Sequence, residues 1–288
     1  MIIPYEKNLC SKHAEKMLSI KICSACNMSC SFCVDRGGRN GEKIDIDKIA
    51  NEAINKKEYK TVIITGGEPF LFVEAVIKLC NRIRPHKNRI VLNTNGSLLS
   101  YYFVEKLNGL IDELQVSVHH YEEKRNANVF GKRISFQNMK DSLKQKKFVL
   151  SINSTFNKEY SKNERKDAVF NMIDFCCWIG ADNLRLTELK KVDGEDFVLC
   201  NDFLNTDFTN RSSEELIVSG CTDYYSEKGI NVSVKRLCEY AKGKNAKAFS
   251  CCFVDTEGQK KIDIETRDTF KVIYSDGMVF DDWVFHEI

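Results

Sequence analysis

Three cysteines near the start of the chain, Cys26, Cys30 and Cys33, have the spacing C-x-x-x-C-x-x-C. Three thiolates on one short loop can bind three irons of a cubane iron–sulfur cluster, and the fourth iron is then left without a protein ligand. An open iron can bind the amino and carboxylate groups of an external molecule. This is the geometry that is needed to pass an electron to a sulfonium and break its carbon–sulfur bond.

Zinc is the alternative metal for this loop, because Cys23-x-x-Cys26 and Cys30-x-x-Cys33 form two C-x-x-C pairs. Zinc knuckles usually need a longer loop between such pairs to wrap four thiolates into a tetrahedron, and only three residues separate these two. The spacing therefore favours the cluster. We interpret Cys23 as a buried residue at the end of the first strand.

Two further motifs follow the next two predicted strands: Gly66-Gly67-Glu68-Pro69 and Asn93-Thr94-Asn95-Gly96. Bare glycines suit a place where a backbone must approach a ligand closely. Together with the cysteine spacing and the aromatic Phe32 before the last cysteine, these motifs resemble the radical S-adenosylmethionine (radical SAM) superfamily. The resemblance extends over roughly residues 18 to 190.

The resemblance implies one 4Fe–4S cluster on Cys26, Cys30 and Cys33, S-adenosylmethionine as a second cofactor, and reduced flavodoxin or ferredoxin as electron donor. In this family the G-G-E-P element holds the methionine amino group, and the cofactor is cleaved to a 5′-deoxyadenosyl radical that abstracts a hydrogen atom from the substrate. The candidate cofactor-binding residues are Phe32, Gly66, Gly67, Glu68, Pro69, Asn95, Ser117, Asn153 and Arg185.

Predicted strands and helices alternate along the first two-thirds of the chain, and they must position these residues. Short β-branched runs predict strands at 18–22, 61–65, 89–92, 113–118, 148–152 and 183–186. Helical spacing predicts helices near 45–57, 70–84, 97–107, 136–146 and 162–179. Six strands separated by crossovers indicate a parallel sheet, and about 170 residues is too short for eight β/α units. We therefore expect an α/β fold with a partial (β/α)6 TIM-type barrel over 14–190.

The remaining residues, 191–288, are expected to form an α+β C-terminal extension. A helix is predicted over 212–228, and a hairpin over 269–274 and 278–283 around Ser275-Asp276-Gly277. This hairpin could close the barrel, with Asp281, Asp282 and Trp283 as candidate substrate contacts. A hairpin with ordinary surface aspartates is the alternative.

Three further residues are candidates for catalysis. His119 and His120 follow the fourth predicted strand and are expected to point towards the barrel mouth, where one could bind ribose or substrate, or shuttle a proton. Histidines satisfied by loop backbone are the alternative. Glu188, just past the sixth strand, forms with Arg185 a pair that resembles an Arg/Glu pair in some family members.

The composition and the number of cysteines argue against several classes of protein. Hydrophobic residues make up 43% and charged residues 29% of the 288 residues, and the formal net charge is +2. No basic stripe supports nucleic-acid binding, and no apolar run approaches a membrane span. Thirteen cysteines, an odd number, and the lack of an apolar segment at the start predict a protein of the reducing cytoplasm rather than a disulfide framework.

The late cysteines lack the tight C-x-x-C grouping of an auxiliary cluster, so we expect a single cluster; they are Cys200, Cys221, Cys238, Cys251 and Cys252. A short barrel with one cluster favours a small polar substrate. The most specific expectation is a lyase resembling queuine lyase, which cleaves a carbon–nitrogen bond in a 7-deazaguanine base during queuosine salvage. The alternatives are a radical SAM peptide-modifying enzyme and, in another class, a non-catalytic zinc-binding protein.

Overall fold

The computed structural model describes residues 16–33, 43–188, 217–219, 222–235, 253–254, 260–261 and 270–281. Two predicted substrate contacts, Asp282 and Trp283, lie outside the described residues, and so do the five late cysteines. Most of the predicted extension also falls outside them.

The centre of the fold is a parallel sheet of six strands. They are β1 (Met17–Lys21), β2 (Thr61–Thr65), β3 (Arg89–Thr94), β4 (Glu113–Ser117), β5 (Val149–Thr155) and β6 (Asn183–Thr187). Each strand pairs in parallel with the next one along the chain. The predicted partial TIM-type barrel is therefore confirmed, with strand bounds within a few residues of those expected.

At least one helix connects each strand to the next, from β1 to β6. These helices are α1 (Ile46–Asn55), α2 (Val73–Ile83), α3 (Tyr101–Leu107), α4 (Glu123–Phe130), α5 (Phe136–Ser142) and α6 (Arg165–Ile179), with 3₁₀ turns at Pro69–Phe72 and Arg84–His86. Three of them start at side-chain caps, because Asp45, Ser100 and Ser135 each accept a hydrogen bond from the backbone amide three residues later. No helix in the described part of the chain is long and apolar enough to cross a membrane.

The two faces of the sheet differ in chemistry. One face is apolar and packs in the core with the helices; its buried residues are Leu18, Ile20, Val62, Ile64, Ile90, Leu92, Leu114, Val116, Leu150, Ile152, Leu184 and Leu186. The alternate residues are mostly polar; they include Ser19, Lys21, Thr61, Thr65, Arg89, Asn93, Glu113, Gln115, Ser117, Ser151, Asn153, Thr155, Asn183, Arg185 and Thr187. Because successive side chains of a strand point to opposite faces, this polar face lines the inside of the open barrel.

Strands from the C-terminal third extend the sheet at both edges. Beside β6 lies β9 (Ile230–Lys235), followed by β8 (Thr222–Glu227) and β7 (Ile217–Ser219). Beside β1 lies β12 (Phe270–Ile273), which is parallel to it, followed by β13 (Val279–Phe280). Within the described residues, eleven strands form one sheet that does not close into a ring, and the short strands β10 (Phe253–Val254) and β11 (Lys260–Lys261) pair separately.

The predicted helix over 212–228 is wrong in its described part, because residues 217–219 and 222–227 form β7 and β8. β8 pairs antiparallel with β9, whose Val232 and Val234 are buried in the core. Pairing with a neighbouring strand therefore decides the conformation, as is common for segments rich in aromatic and β-branched residues.

Glycines with a positive φ end one helix and form one turn. The polar stretch 122–134 contains α4, which ends at Gly131 in the left-handed conformation (φ +71°). The hairpin of the C-terminal segment is confirmed, since β12 and β13 are antiparallel and Gly277 in the turn also has a positive φ of 76°.

Candidate active site

The loop that leaves the carboxyl end of β1 carries the three candidate ligands. Cys26 is exposed, and Cys30 and Cys33 are half-buried. The backbone amide of Cys33 donates to the carbonyl oxygen of Cys30 at 3.1 Å, which closes a tight turn. Partial desolvation raises the pKa of the Cys26 thiol, and the charges of Glu68 and Cys33 raise it further, whereas a hydrogen bond from the Met28 amide lowers it.

The three candidate ligands lie on one short loop, Cys26 to Cys33. In a cube of four irons, each thiolate binds a different corner, so three thiols of one loop can occupy three corners.

The fourth thiol of the segment, Cys23, faces another way. Its side chain is 1% exposed, and its sulfur lies 3.5 Å from the carbonyl oxygen of Glu68, within the range of a weak S–H hydrogen bond. Cys23 is therefore packed at the end of β1, as the sequence predicts.

The end of β2 seats the cysteine loop through backbone contacts. The amides of Gly67 and Glu68 donate to the carbonyl oxygens of Cys23 and Ala25, each at 2.8 Å. A Cβ atom at Gly66 would lie 2.6 Å from the Cys23 carbonyl oxygen, and one at Gly67 would overlap that of Ala25. The close backbone approach expected at these glycines is therefore present, and the segment they approach is the cysteine loop.

Glu68 joins the ends of β2 and β3. Its side chain is completely buried, and its carboxylate accepts hydrogen bonds from the Phe70 amide (3.0 Å), the Thr94 hydroxyl (2.7 Å) and the Asn95 amide (2.7 Å). Burial raises the pKa of Glu68, and these three bonds lower it. Both carboxylate oxygens have partners on the segments after β2 and β3. The hydrogen bonds from this motif to the cysteine loop come from its backbone amides. Pro69, also buried, begins the 3₁₀ turn that follows.

Asn95 links the loop after β3 to the cysteine loop. Its amide nitrogen donates to Asn27 Oδ1 at 2.8 Å, and Asn27 donates to Ser97 Oγ at 2.9 Å. The backbone amide of Ser97 in turn donates to Asn95 Oδ1 at 2.9 Å. Sequence reasoning identified Asn95 but missed Asn27 and Ser97, because nothing in their spacing indicates that they meet.

Three other candidate residues form one row across neighbouring strands. Ser117 at the end of β4 is in register with Asn153 on β5, and Asn153 is in register with Arg185 on β6. Asn153 donates to Gln115 Oε1 at 3.1 Å, whereas its buried Oδ1, like that of Asn93 on β3, has no partner among the described residues. Buried acceptors left unpaired cost free energy, so these oxygens suit a ligand that carries N–H or O–H groups.

His119 lies beside the cysteine loop and is only 7% exposed. Its ring meets Phe32 edge-on, with the ring centroids 5.0 Å apart. Its Nδ1 accepts a hydrogen bond from the Thr155 amide at 3.2 Å, and burial lowers its pKa to about 3. The imidazole is therefore neutral at physiological pH, with its proton on Nε2.

His120, which the sequence places near the barrel mouth, is enclosed by its neighbours. Its ring is completely buried and stacks on Tyr160, with centroids 4.4 Å apart. Its Nδ1 accepts from the Glu122 amide at 3.0 Å. Aromatic neighbours in the loops after β4 and β5 enclose this side chain, so a substrate cannot reach it in this conformation.

The last two candidates, Glu188 and Asp281, lie in different parts of the structure. Glu188 is 4% exposed directly after β6, and its amide donates to the Lys235 carbonyl oxygen at 3.1 Å. Asp281 is exposed and forms an ion pair with Lys271 on the surface, an arrangement of small energetic value. The structure therefore brings the cysteines, the G-G-E-P element, Asn95 and His119 together, and leaves Asp281 paired elsewhere.

Residues 20–169, just over half of the chain, match the sequence profile of the Radical SAM superfamily. The chain belongs to this superfamily. Radical SAM enzymes use a 4Fe–4S cluster and S-adenosylmethionine, so the three thiols beside β1 fit the chemistry of the family.

Two curated relatives of this radical SAM chain are informative. It is 26% identical over 178 residues to a probable GTP 3′,8-cyclase of Pyrococcus horikoshii, which covers 60% of this chain and 56% of the relative. It is 36% identical over 74 residues to the 7-carboxy-7-deazaguanine synthase of Bacteroides thetaiotaomicron, covering 26% of this chain and 38% of the relative. The chain thus spans a little over half the length of the cyclase.

Among solved structures, Streptococcus suis SuiB bound to S-adenosylmethionine has the same fold, with a TM-score of 0.61. The match covers 92% of this radical SAM chain and 59% of SuiB, at 19% identity. At this identity the likeness supports the architecture and not a shared substrate.

Proposed function

We propose that this radical SAM enzyme abstracts a hydrogen atom from a small polar substrate held inside the barrel. One observation carries this proposal: three thiols stand at the carboxyl ends of strands whose inner face is lined by hydrogen-bonding side chains. A polar face beside a radical source suits a polar ligand, because buried polar groups need partners. When bound, the cofactors supply a 5′-deoxyadenosyl radical that takes the hydrogen atom.

Each group of residues has a proposed task. Cys26, Cys30 and Cys33 bind the cluster, and the backbone at 66–68 holds the methionine end of the second cofactor. The row formed by Ser117, Asn153 and Arg185 supports its ribose and carboxylate, since hydroxyl, amide and guanidinium groups lie side by side there. The barrel wall orients the substrate and excludes water from the radical.

The most specific reaction we propose is cleavage of a carbon–nitrogen bond in a 7-deazaguanine base, by a lyase resembling queuine lyase. A base edge offers N–H donors that match the unpaired oxygen of Asn93. The similarity of 74 residues to a 7-carboxy-7-deazaguanine synthase supports chemistry on this kind of base.

A peptide-modifying enzyme is the second candidate within the family. The chain is 32% identical over 85 residues to a putative peptide biosynthesis protein of Bacillus subtilis, which covers 28% of this chain and 27% of that relative. In a different class, a zinc-binding protein without catalytic activity would use the same thiols. These alternatives differ in the metal they bind and in the substrate they consume.

Anaerobic reconstitution of the full chain tests the radical chemistry. We expect about four irons per chain, and 5′-deoxyadenosine when a strong reductant and S-adenosylmethionine are added. Cys26→Ala, Cys30→Ala and Cys33→Ala should each abolish both results. Cys23→Ala is the matched control and should keep them, because its thiol is turned away into the core. Bound zinc, or no 5′-deoxyadenosine, would reject the proposal.

A substrate experiment separates the two family candidates. The reconstituted enzyme is incubated with 7-deazaguanine bases that carry substituted aminomethyl groups, and separately with ribosomally made precursor peptides. Release of the aminomethyl base, detected by mass spectrometry, supports the lyase. A mass change only in a peptide would contradict it and support the second candidate.

A further inference from the structure

A second structural element holds the cysteine loop on the side opposite β2. The backbone amide of Ser29 donates to the carbonyl oxygen of Phe130 at 2.9 Å, at the end of α4. The next residue, Gly131, is so close that a Cβ atom there would overlap the Ser29 hydroxyl. The cysteine loop is therefore held between the end of β2 and the end of α4.

Aromatic side chains continue this contact towards the last cysteine. The His119 ring lies against Phe130, with centroids 4.9 Å apart, and against Phe32 at 5.0 Å with an interplanar angle of 88°. Phe32 precedes Cys33 directly in the chain. An edge-to-face pair of this kind has a preferred geometry, so the position of the His119 ring restricts where Phe32 can lie.

His119 is itself fixed from three directions. Its Nδ1 accepts from the Thr155 amide at 3.2 Å, its own amide donates to Asn126 Oδ1 at 2.8 Å, and its carbonyl accepts from Asn157 Nδ2 at 2.8 Å. These partners belong to β5, α4 and the loop after β5. A ring anchored in this way can serve as a fixed surface for a neighbouring loop.

We propose that His119 is a positioning residue: its ring fixes Phe32 and thereby holds the Cys30–Cys33 turn in the geometry that binds the cluster. This role rests on the proposed cluster site and replaces the proton transfer that the sequence suggested for His119. The ring acts through packing with Phe32, and its Nδ1 is occupied by a backbone amide.

Two substitutions separate packing from hydrogen bonding. His119→Phe keeps a ring against Phe32 and loses the acceptor for the Thr155 amide, whereas His119→Asn keeps an acceptor near the Nδ1 position and loses the ring. The measurement is the rate at which a chelator removes iron from the anaerobically reconstituted full chain. We expect His119→Asn to lose iron about fivefold faster, because an aromatic pair contributes roughly 1 kcal/mol. His119→Phe should release iron at nearly the wild-type rate.

Phe136→Leu is the control for general destabilisation. Phe136 is buried against Phe175 at 4.8 Å, in the helical layer. The Phe136→Leu substitution should lower the melting temperature without changing the rate of iron release. If His119→Asn does not fold, Phe32→Leu tests the same contact from the loop side and should also release iron faster.

The outcomes are distinct. Wild-type protein that takes up no iron refutes the proposed function itself. Wild-type protein with a cluster, together with iron release that is unchanged in His119→Asn and Phe32→Leu, refutes only the positioning role. Fast release from His119→Phe together with wild-type release from His119→Asn also refutes it, because the hydrogen bond and not the ring would then matter.

Discussion

Gly67 and Ala25 lie so close that a Cβ atom at position 67 would overlap the carbonyl oxygen of Ala25. The backbone on either side of this contact is hydrogen-bonded, from Gly67 to Cys23 and from Glu68 to Ala25. The direction in which the cysteine loop leaves β1 is therefore set by the end of β2. Several measurable consequences depend on this contact and on its neighbours.

Gly67→Ala should reduce the iron bound after anaerobic reconstitution to well below the wild-type content, because the loop must move to admit a methyl group. Gly180→Ala is the control. Gly180 has a φ of 78° and nothing within 4 Å of an added Cβ, so alanine there costs about 1 kcal/mol of backbone strain without touching the site. Equal iron content in the two variants would contradict the seating role of Gly67.

Glu68→Gln should lower the free energy of unfolding by about 1–3 kcal/mol, measured by denaturant titration of the apoprotein. Three donors converge on the two carboxylate oxygens, and an amide offers only one oxygen. Asp45→Asn is the control, because asparagine caps a helix as well as aspartate does. A Glu68→Gln protein as stable as the wild type would show that the buried carboxylate does not join β2 to β3.

The buried histidine His120 should make the protein sensitive to acid. Burial first, and the charge of Arg125 second, lower its pKa from 6.5 to about 4, while Glu164 acts in the opposite direction. Between these two pH values the unfolded chain takes up a proton that the folded chain does not, so stability decreases as the pH falls. The slope from this one group is at most about 1.4 kcal/mol per pH unit.

His120→Phe tests this acid sensitivity. Between pH 6.5 and 4, the free energy of unfolding of the variant should fall less steeply with decreasing pH than that of the wild type. The difference in slope should correspond to at most one proton, and it is determined from unfolding free energies at several pH values. Phenylalanine keeps the stacking on Tyr160 and has no proton to gain. An unchanged slope would mean that other groups cause the acid sensitivity.

Asn153→Leu should weaken binding of S-adenosylmethionine to the reconstituted enzyme by about tenfold, the effect of losing one or two hydrogen bonds. The fold should survive, since Asn153 Oδ1 has no partner among the described residues. Asn231→Leu is the matched control: it removes an exposed amide from β9, the strand beyond β6. Calorimetric titration that gives equal affinities for the two variants would exclude Asn153 from the cofactor site.

The strands of the barrel could be predicted because each one shows a short run of β-branched and apolar residues. This pattern lies within a single segment and does not depend on the rest of the chain. Such patterns failed where a distant segment decides the conformation. β8 becomes a strand because β9 lies beside it, and α4 forms in a polar stretch because Val129 and Phe130 are buried. Residues such as Asn27 and Ser97, which meet across 70 positions of the chain, leave no local signal of their contact.

The sequence by itself indicated the candidate ligands, because the spacing of Cys26, Cys30 and Cys33 confines three thiols to one loop whatever surrounds it. It also determined the parallel barrel, since strand and helix periods are local properties. Only the tertiary structure decided that Glu68 is buried between two strand ends, that His120 is enclosed and that His119 supports Phe32. Those roles depend on which side chains fill the space around each group, and that space is created by packing between segments far apart in the chain.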